Sequence, residues 1–451
     1  MTRSEASPAD VTLGRRLFGT DGVRGVAGDF LSAELALALG RAVAAVAPDD
    51  APRVLVVRDT RESGQMLEAA LAAGLAAAGA HVLLGGVLPT PAAALLVRRY
   101  GFQLAAVVSA SHNPFRDNGI KFFGPDGIKL SDAQEARVEG EVRAPAHPRA
   151  DSPGSIRELR GATGDYLREL ESRFTGLDLS GLRLLLDCAN GATYEVAPEI
   201  FRRLGARVEA LAVEPDGRNI NDGCGSTHVG LLGERAHDGG YDAGFAFDGD
   251  GDRVLAVDRH GEVVDGDELL ALAALHLRRQ ERLPGEGVAV TVMTNYGFHD
   301  AMRAAGVAVA TTAVGDRHVL AELLARGWAL GGEQSGHIID TGFVPSGDGI
   351  AAALLTLEAL EGGDLADRGA MRKLPQRLVN VRVVELGSLD GSQAVWAAVE
   401  HEQHALEGRG RVLVRASGTE PLVRVMVEAP EQSECDEITR RLVEVVEREL
   451  A

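Results

Sequence analysis

An acidic run interrupted by glycine has the clearest chemical potential in this sequence. The segment 247–253 reads Phe-Asp-Gly-Asp-Gly-Asp-Arg, so that Asp248, Asp250 and Asp252 alternate with glycine. Alternating carboxylates form a compact all-oxygen cage that suits a hard divalent cation. The guanidinium of Arg253 favours a phosphate that contacts both the cation and the arginine. The run therefore predicts a metal site that handles a phosphate.

Two other interpretations of the acidic run deserve comparison. An EF-hand calcium loop begins with a similar pattern, but it needs glycine at its sixth position and glutamate at its twelfth. Arg253 and Arg259 occupy those positions, which excludes an EF-hand. A solvated acidic turn is the other alternative. The apolar flanks 245–247 and 254–257 predict two short strands, and a tight glycine-rich connection between them draws the carboxylates together.

A polar loop upstream supplies a candidate nucleophile. The segment 109–114 reads Ser-Ala-Ser-His-Asn-Pro and follows the apolar stretch 104–108. Ser111 in this loop can share the cation with the aspartates, which indicates metal-assisted phosphoryl transfer. A serine hydrolase built on Ser111 is disfavoured, because Gly-x-Ser-x-Gly is absent and the aspartates would have no role.

A second arginine-bearing segment lies near the C-terminus. Residues 415–424 read Arg-Ala-Ser-Gly-Thr-Glu-Pro-Leu-Val-Arg and follow a predicted strand. Two guanidinium groups, two hydroxyls and a glycine backbone suit a phosphate monoester dianion, because arginine binds it bidentately while amides and hydroxyls fill its other acceptor sites. An ordinary hairpin with surface arginines is the alternative.

Composition limits the classes of protein to consider. With 451 residues the chain is long enough for two to four domains, and 45% of its residues are hydrophobic. No apolar run approaches the length of a membrane span, and the N-terminus lacks the apolar region of a secretory signal. Three scattered cysteines argue against a disulfide framework and favour a reducing cytoplasm. A net charge of -20 disfavours nucleic acid as a partner.

Apolar runs of strand type alternate with helical stretches, which is typical of an α/β fold. The runs 53–57, 182–186 and 288–292 each lead into a polar loop and a helical pattern, which hints at three related α/β units. From about residue 374 the pattern changes to strands followed by a helix, which predicts a smaller α+β module. Ser111, Asp248 and Glu333 each follow a predicted strand, where ligand-binding loops of α/β sheets lie.

Five motifs follow one another along nearly the whole chain. They are Phe18-Gly-Thr-Asp-Gly-Val-Arg-Gly25, Ser109-Ala-Ser-His-Asn-Pro114, Asp248-Gly-Asp-Gly-Asp-Arg253, Gly332-Glu-Gln-Ser-Gly-His337 and Arg415-Ala-Ser-Gly-Thr-Glu-Pro421. In this order they resemble the motifs of the α-D-phosphohexomutases. The segment 219–228, Asn-Ile-Asn-Asp-Gly-Cys-Gly-Ser-Thr-His, makes the resemblance strongest to the bacterial branch that acts on glucosamine phosphate.

The resemblance implies three α/β domains with mixed sheets and a smaller C-terminal α+β domain, arranged around a central active-site cleft. We expect these domains at residues 1–154, 155–257, 258–370 and 371–451, bearing the phosphoserine, the metal, the sugar contacts and the phosphate contacts respectively.

The resemblance also implies roles for individual residues. Ser111 is the expected phosphoserine. The expected Mg²⁺ ligands are Ser111, Asp248, Asp250 and Asp252. Substrate contacts are expected from Arg253, Glu333, Ser335, Arg415, Ser417, Gly418, Thr419 and Arg424. Lys121, Arg24 and His337 are the candidates for the general base, and the sequence does not rank them.

The expected reaction interconverts the 6-phosphate and 1-phosphate of glucosamine through a 1,6-bisphosphate, which also serves as activator. Such an enzyme supplies precursors of UDP-N-acetylglucosamine and the cell wall, and the resemblance suggests a homodimer. Since a free serine hydroxyl has no phosphoryl group to donate, a hexose bisphosphate or a kinase is expected to charge Ser111. The alternative is a phosphomannomutase or phosphoglucomutase of the same superfamily, with the same serine, metal and phosphate residues. Because one pocket must hold the non-reacting phosphate in two orientations, a mobile C-terminal module is favoured.

Overall fold

A computed structural model describes residues 16–144, 152–384, 388–417 and 421–450. Residues 145–151, just before the predicted boundary between residues 154 and 155, lie outside the described residues. The chain divides into two compact units, each built from two segments. The first unit contains the residues up to 292 and 310–368, and the second contains 293–309 and the residues from 369 onward.

The first sheet has six strands in the order β1-β5-β4-β2-β3-β6. Its central strands are parallel, whereas β5 pairs antiparallel with both β1 and β4. Its strands and helices are β1 Val23–Val26, α1 Ala33–Ala45, β2 Arg53–Arg58, α2 Glu62–Ala77, β3 His81–Val87, α3 Thr90–Arg99, β4 Leu104–Val108, β5 Asp117–Phe123, α4 Asp132–Val142 and β6 Ile156–Glu158. All five residues of β4 are buried, as expected for a strand covered on both faces.

The second sheet has five strands in the order β11-β10-β9-β7-β8. Its parallel part is β8-β7-β9, and β10 pairs antiparallel with β9 across the acidic run. Its elements are α5 Ala162–Arg173, β7 Arg183–Asp187, α6 Val196–Arg203, β8 Arg207–Leu211, α7 Gly230–Gly239, β9 Ala243–Phe247, β10 Val254–Asp258 and β11 Val263–Val264.

The third sheet also has five strands, in the order β13-β12-β14-β15-β16. Its elements are α8 Gly266–Arg279, β12 Gly287–Thr291, α9 Tyr296–Ala304, β13 Ala308–Thr312, α10 Asp316–Arg326, β14 Leu330–Gly332, β15 Ile338–Asp340, β16 Val344–Gly347 and α11 Gly349–Leu360, with short 3-10 helices at Pro284–Glu286 and Leu365–Asp367. The helix α9 belongs to the second compact unit.

The C-terminal part forms a three-stranded antiparallel sheet in the order β17-β19-β18. Its elements are β17 Gln376–Arg382, α12 Ser388–Gly391, α13 Gln393–Ala405, β18 Arg411–Ala416, β19 Leu422–Glu428 and α14 Gln432–Leu450. Val423, Val425 and Leu442 are among the residues of its apolar core. The expected class is confirmed: three mixed α/β sheets precede a smaller α+β domain.

Side-chain caps fix where several helices begin. Ser32, Ser131 and Asp265 each accept hydrogen bonds from backbone amides of the first helical turn, which would otherwise have no partner. Asp348 caps α11 in the same way, accepting from the amide of Ala351 at 2.9 Å. These polar capping residues therefore fix the residue at which each helix begins.

Asp348 also joins the second and third α/β layers through a buried hydrogen bond. Its carboxyl oxygens accept from the Tyr166 hydroxyl at 2.9 and 3.0 Å. Burial raises the pKa of Asp348 from 3.8 to about 6, while the amide of Ala351 and the Tyr166 hydroxyl partly oppose the increase. The folded protein therefore holds a proton at Asp348 more tightly than the unfolded chain does.

This proton makes the wild-type protein lose stability as pH rises from about 4 to above 6, relative to an Asp348→Asn variant that cannot titrate there. The difference between about 6 and 3.8 corresponds to about 3 kcal/mol once the carboxyl is fully ionised. Urea unfolding of both proteins at pH 4.5 and pH 7.5 measures the change. A stability difference that is the same at both pH values would contradict the prediction.

Candidate active site

The predicted nucleophile lies directly beyond the carboxyl end of β4. Ser111 is 2% exposed, and its Oγ donates to Oδ2 of Asp248 at 2.5 Å. Nδ1 of the adjacent His112 is 3.3 Å from the same Oγ. The backbone at Ser111 has φ 51°, a left-handed conformation that is uncommon for residues other than glycine. The loop therefore holds the hydroxyl towards the acidic run in a specific orientation.

The acidic run connects β9 to β10, and its two glycines are required by close packing. A side chain at position 249 would meet the carbonyl oxygen of Ser111 at 2.5 Å. Gly251 has φ 73°, and a side chain there would meet Thr193 at 2.5 Å. The two glycines thus allow the acidic run to pack against Thr193 and against the serine loop, which is the segment 109–114.

The three aspartates form a buried cluster that suits a metal ion. One oxygen from each of Asp248, Asp250 and Asp252 can be chosen so that all lie within 4.8 Å of one another. Within the described ranges, Oδ1 of Asp250 and Oδ1 of Asp252 are buried and have no hydrogen-bond partner. Burial raises the pKa of Asp248 well above its ordinary value, and the charges of its two neighbours raise it further. Oxygen donors that are buried, crowded and unpartnered are expected where a cation would offset their charge.

A buried lysine faces this cluster from β5. Lys121 is 1% exposed, and its Nζ is 2.8 Å from Oδ2 of Asp250 and 3.4 Å from Oδ2 of Asp21. The Thr90 hydroxyl donates to the same Asp250 oxygen at 2.7 Å. Burial lowers the pKa of Lys121, but the surrounding carboxylates outweigh it and hold the pKa above its ordinary value. Lys121 is therefore an ammonium group in this arrangement.

His337 lies between two carboxylates at the other side of the cluster. Its Nδ1 is 3.6 Å from Asp252 and its Nε2 is 3.7 Å from Asp316. Burial lowers the pKa of His337, whereas both carboxylates raise it, and the net shift is upward. The amide of Gly347 donates to Nε2 at 3.1 Å, and in the neutral ring this acceptor role places the proton on Nδ1.

An ion network that the sequence analysis missed ties the first and third sheets together beside this site. Lys129 Nζ pairs with Asp21, and it donates to Oδ2 of Asp316 at 2.7 Å. The two carboxylates raise the pKa of the buried Lys129 despite the opposing effect of burial. Asp21 also pairs with Arg24. Asp21 lies in the first resembling motif, so this motif was the one signal that could have identified it.

The remaining predicted residues of the first unit lie at different depths. Glu333 follows β14, as predicted, is 9% exposed, and accepts from the amide of Gly315 at 3.0 Å. Ser335 is exposed. Arg253 is partly buried, its amide donates to Oδ1 of Asp248 at 3.1 Å, and its Nε is 3.9 Å from Asp252. The arginine therefore lies directly beside the carboxylate cluster.

The second unit contains the predicted phosphate segment. Arg415 on β18 is paired directly with Arg424 on β19. Burial lowers the pKa of Arg415, and the charge of Arg424 adds to this effect. In the described part of the chain, the buried Ser417 hydroxyl and Arg424 Nε have no hydrogen-bond partner. Gly418 and Thr419 lie outside the described residues.

Like charges directly opposite each other in a sheet are destabilising, so this arginine pair has a cost in the unliganded domain. An anion that binds both guanidinium groups would remove that cost. The facing arginines therefore form a candidate anion site on two adjacent antiparallel strands.

Family models for all four domains of phosphoglucomutase/phosphomannomutase match the chain. Domain I matches residues 15–148, domain II 164–261, domain III 265–376 and the C-terminal domain 378–445. A phosphoglucosamine mutase of Desulforudis audaxviator is 51% identical, with 95% of this chain and 97% of that protein covered. One of Pelotomaculum thermopropionicum is 49% identical, with 95% and 98% covered. The chain belongs to the phosphoglucosamine mutase family of the phosphohexomutases.

Solved structures agree with this family membership at the level of the fold. A phosphoglucomutase/phosphomannomutase family protein from Burkholderia thailandensis superposes with a TM-score of 0.79 at 25% identity, covering 98% of both chains. An Aspergillus fumigatus N-acetylphosphoglucosamine mutase in complex with GlcNAc-6P and magnesium gives 0.69 at 19% identity, again covering 98% of both chains. As a phosphoglucosamine mutase family member, the chain is an isomerase. Among its described residues, no helix has the length and apolar character needed to cross a membrane.

Proposed function

We propose that this protein interconverts glucosamine 6-phosphate and glucosamine 1-phosphate. The observation that carries the proposal is the 2.5 Å contact between Ser111 Oγ and Asp248, inside a buried carboxylate cluster. A hydroxyl in that position can form a phosphoserine. Relatives that are 44–51% identical over nearly the whole chain and named phosphoglucosamine mutase support the choice of sugar.

In the proposed reaction, phosphoserine 111 gives its phosphoryl group to one sugar hydroxyl. The bond between phosphorus and Ser111 Oγ breaks as a bond to the sugar oxygen forms, and the hydroxyl proton leaves for a base. That proton passes to Ser111 Oγ, and the resulting glucosamine 1,6-bisphosphate turns around. The bond between its other phosphorus and the sugar oxygen then breaks as a bond to Ser111 Oγ forms, and the serine proton passes to that sugar oxygen. The serine is thus regenerated as phosphoserine, and the bisphosphate also serves as activator of an uncharged enzyme.

The three aspartates of the cluster and Ser111 would hold Mg²⁺, because their buried oxygens are hard donors drawn to one point. When bound, the ion neutralises charge on the transferring phosphoryl group. Arg253, which stands beside Asp252, would bind an oxygen of the same group. A magnesium ion in a related enzyme from Aspergillus fumigatus supports this assignment.

Three residues remain candidates for the base that takes the sugar proton. Lys121 is the most buried of the three, and its Nζ is 2.8 Å from Asp250, where a bound cation would offset the carboxylate charge that raises the pKa of Lys121. His337 accepts a backbone hydrogen bond on Nε2 and so fits a role in orienting Asp252 and Asp316 better. Arg24, held by Asp21, is better suited to binding phosphate. We therefore place Lys121 first.

The sugar hydroxyls and amine would be held by Glu333 and Ser335. The Glu333 carboxylate is fixed by the amide of Gly315, which leaves acceptor capacity for a hydroxyl or an ammonium group. Ser335 is exposed and free to approach a ligand. A carboxylate acceptor near the C2 position would favour an amino sugar over a plain hexose.

The phosphate that is not reacting would be bound by the C-terminal domain. Its proposed contacts are Arg415, Ser417, Gly418, Thr419 and Arg424. The facing arginines and the unpartnered Ser417 hydroxyl support this assignment.

Arg424→Gln is expected to raise KM for glucosamine 6-phosphate roughly 30-fold, because it removes charge-assisted hydrogen bonds to phosphate. The same change removes the like-charge contact with Arg415, so the domain should gain about 0.5 kcal/mol of stability. Steady-state kinetics and thermal denaturation measure both effects. Arg440→Gln, on the exposed face of α14, is the control, and an unchanged KM in Arg424→Gln would contradict the assignment.

Phosphorus NMR provides the decisive test of the function. Purified protein is mixed with Mg²⁺, a trace of glucose 1,6-bisphosphate and, in separate tubes, the 6-phosphates of glucosamine, glucose and mannose. Conversion confined to glucosamine 6-phosphate supports the proposal. Faster conversion of glucose or mannose phosphate assigns the enzyme to the phosphoglucomutase and phosphomannomutase branch, and no conversion in any tube overturns the mutase reaction.

Several features of the cellular role follow as part of the proposal. Freshly made protein needs a hexose bisphosphate or a kinase to charge Ser111, since the free hydroxyl has no phosphoryl group to give. A preparation that is fully active although its intact mass shows no bound phosphate would contradict this. The product would feed UDP-N-acetylglucosamine and cell-wall synthesis in the cytoplasm, with the enzyme acting as a homodimer.

A further inference from the structure

Two backbone carbonyl groups of the serine loop are each held by the same two side chains. The carbonyl of Ser111 accepts from Arg61 Nη2 at 3.0 Å and from Asn221 Nδ2 at 3.0 Å. The carbonyl of Asn113 accepts from the same atoms at 2.5 and 3.2 Å. A carbonyl oxygen has two lone pairs, and a side-chain amide has two N–H groups. Each of these groups is therefore fully used.

Arg61 is itself fixed from behind. Its side chain is completely buried and pairs with Asp59, whose oxygen also accepts from the Ser109 hydroxyl at 2.5 Å. Ser109 Oγ in turn accepts from the amide of Ser111 at 3.0 Å. Asp59, Ser109 and Arg61 all belong to the first α/β layer, on the loops that follow β2 and β4. This layer thus holds one side of the serine loop.

Asn221 reaches the serine loop from the second α/β layer. It lies in the segment 219–228, which resembles the family's sequence but whose residues were given no role in the sequence analysis. Its backbone has φ 58°, which asparagine tolerates better than most residues, and its amide donates to the carbonyl of Ala189 at 2.9 Å. Its Nδ2 also lies against Gly249 of the metal loop. One side chain therefore contacts the loop of the nucleophile and the loop of the metal ligands.

We propose that Asn221 is a positioning residue, which together with Arg61 holds the Ser111 backbone in its left-handed conformation and so aims Oγ at the metal cluster. This inference rests on the proposed function in assigning phosphoryl transfer to Ser111. The side-chain hydrogen bonds of Asn221 go to the carbonyls of Ser111 and Asn113, and among the described residues of the first unit it has none to Glu333 or Ser335, the proposed sugar contacts. It acts through the orientation of Ser111, so its loss should affect the rate of transfer rather than substrate affinity.

The test compares two substitutions of Asn221. A packing role and a hydrogen-bonding role predict opposite orders for how much activity they lose. Asn221→Gly removes the side chain but tolerates φ 58°. Asn221→Asp keeps the volume and the backbone preference, but it points a carboxylate at two carbonyl oxygens. If Asn221 only fills space, glycine is the more harmful change. If it positions the serine by donating hydrogen bonds, aspartate is the more harmful one.

We expect Asn221→Gly to lower kcat roughly 100-fold, as a small misplacement of a reacting group does, with KM within about threefold of wild type. Asn221→Asp should lose more. Asn219→Gly is the matched control in the same segment, because its side chain bonds Glu214 and Asp216 of its own loop. A kcat within about threefold of wild type is expected for the control.

Two further readouts separate the possible failures. Intact mass follows the charging of Ser111 by glucose 1,6-bisphosphate, which does not depend on the amino sugar. If wild type is charged but does not convert glucosamine 6-phosphate, the proposed substrate fails, and the charging rates of the variants still test Asn221. Thermal denaturation accompanies every assay, and if the glycine variant unfolds, the folded aspartate variant decides. Unchanged kcat and charging rate in a folded variant, or a milder loss in aspartate than in glycine, would overturn the proposal.

Discussion

Ser111→Ala should abolish interconversion of the sugar phosphates, with turnover reduced roughly 10⁴-fold or more, because the variant has no oxygen that can carry the phosphoryl group. The fold should persist, since the Ser111 carbonyl keeps its hydrogen bonds from Arg61 and Asn221 when the hydroxyl is removed. Phosphorus NMR with glucosamine 6-phosphate and glucose 1,6-bisphosphate measures the loss. Intact mass should show no phosphate on the variant.

The control for this experiment is Ser172→Ala, which changes an exposed serine on α5. It should behave as wild type in both assays. Two observations would exclude Ser111 as the phosphoryl carrier. One is turnover in Ser111→Ala within tenfold of wild type, and the other is stable phosphate that remains on the variant at another residue.

Asp248→Asn should separate catalysis from stability. The substitution removes one of three buried carboxylates, so kcat should fall on the order of 10³-fold, the range for losing strong charge stabilisation in a transition state. In the absence of metal the variant should nevertheless melt at a higher temperature than wild type. The reason is that the buried Asp248 is surrounded by the charges of Asp250 and Asp252, and an amide is not repelled by them.

Calorimetric titration with Mg²⁺ or Mn²⁺ and thermal denaturation with and without EDTA test both parts. The melting temperature of wild type should rise when metal is added, because metal that binds only the folded state stabilises it. The melting temperature of Asp248→Asn should rise little, because this variant lacks one of the proposed ligands. Asp242→Asn, which lies in the turn before β9 and bonds the amide of Arg183, is a control outside the cluster. Equal metal affinity in wild type and Asp248→Asn would show that this carboxylate is not a ligand.

The parts of this site that could be predicted from the sequence are those that depend on short local patterns of residue types. The apolar run 104–108 is the strand β4 with the same limits, and the segments around the acidic run are β9 and β10. Because ligands collect beyond the carboxyl ends of such strands, the sequence predicts that Ser111 shares a cation with the aspartates, and the structure brings its Oγ to 2.5 Å from Asp248. The alternation of aspartate and glycine needed no tertiary information either.

The residues that were missed act through distant contacts. Asn221 is 110 positions from Ser111, and Lys129 is 187 positions from Asp316. No periodicity or spacing links such pairs, since loop geometry decides which polar side chains meet. Arg61 carried a usable signal, because it follows the carboxyl end of the strand predicted at 53–57. A systematic list of polar residues after each strand would have included it.

The composition of the second compact unit has a consequence for how the protein can be divided. The chain passes between the two units three times, because residues 293–309 belong to the unit that otherwise begins at 369. Glu428, fully buried on β19, accepts from the amide of Tyr296 at 2.9 Å, and Asn295 donates to the carbonyl of Leu374 at 3.1 Å. A fragment cut at 369 would lack these partners and expose a carboxylate site built to be covered. The C-terminal sheet comes from one stretch of the chain, but the compact unit around it also includes residues 293–309. A chimaera that exchanges the C-terminal domain between relatives should therefore exchange the segment 293–309 as well.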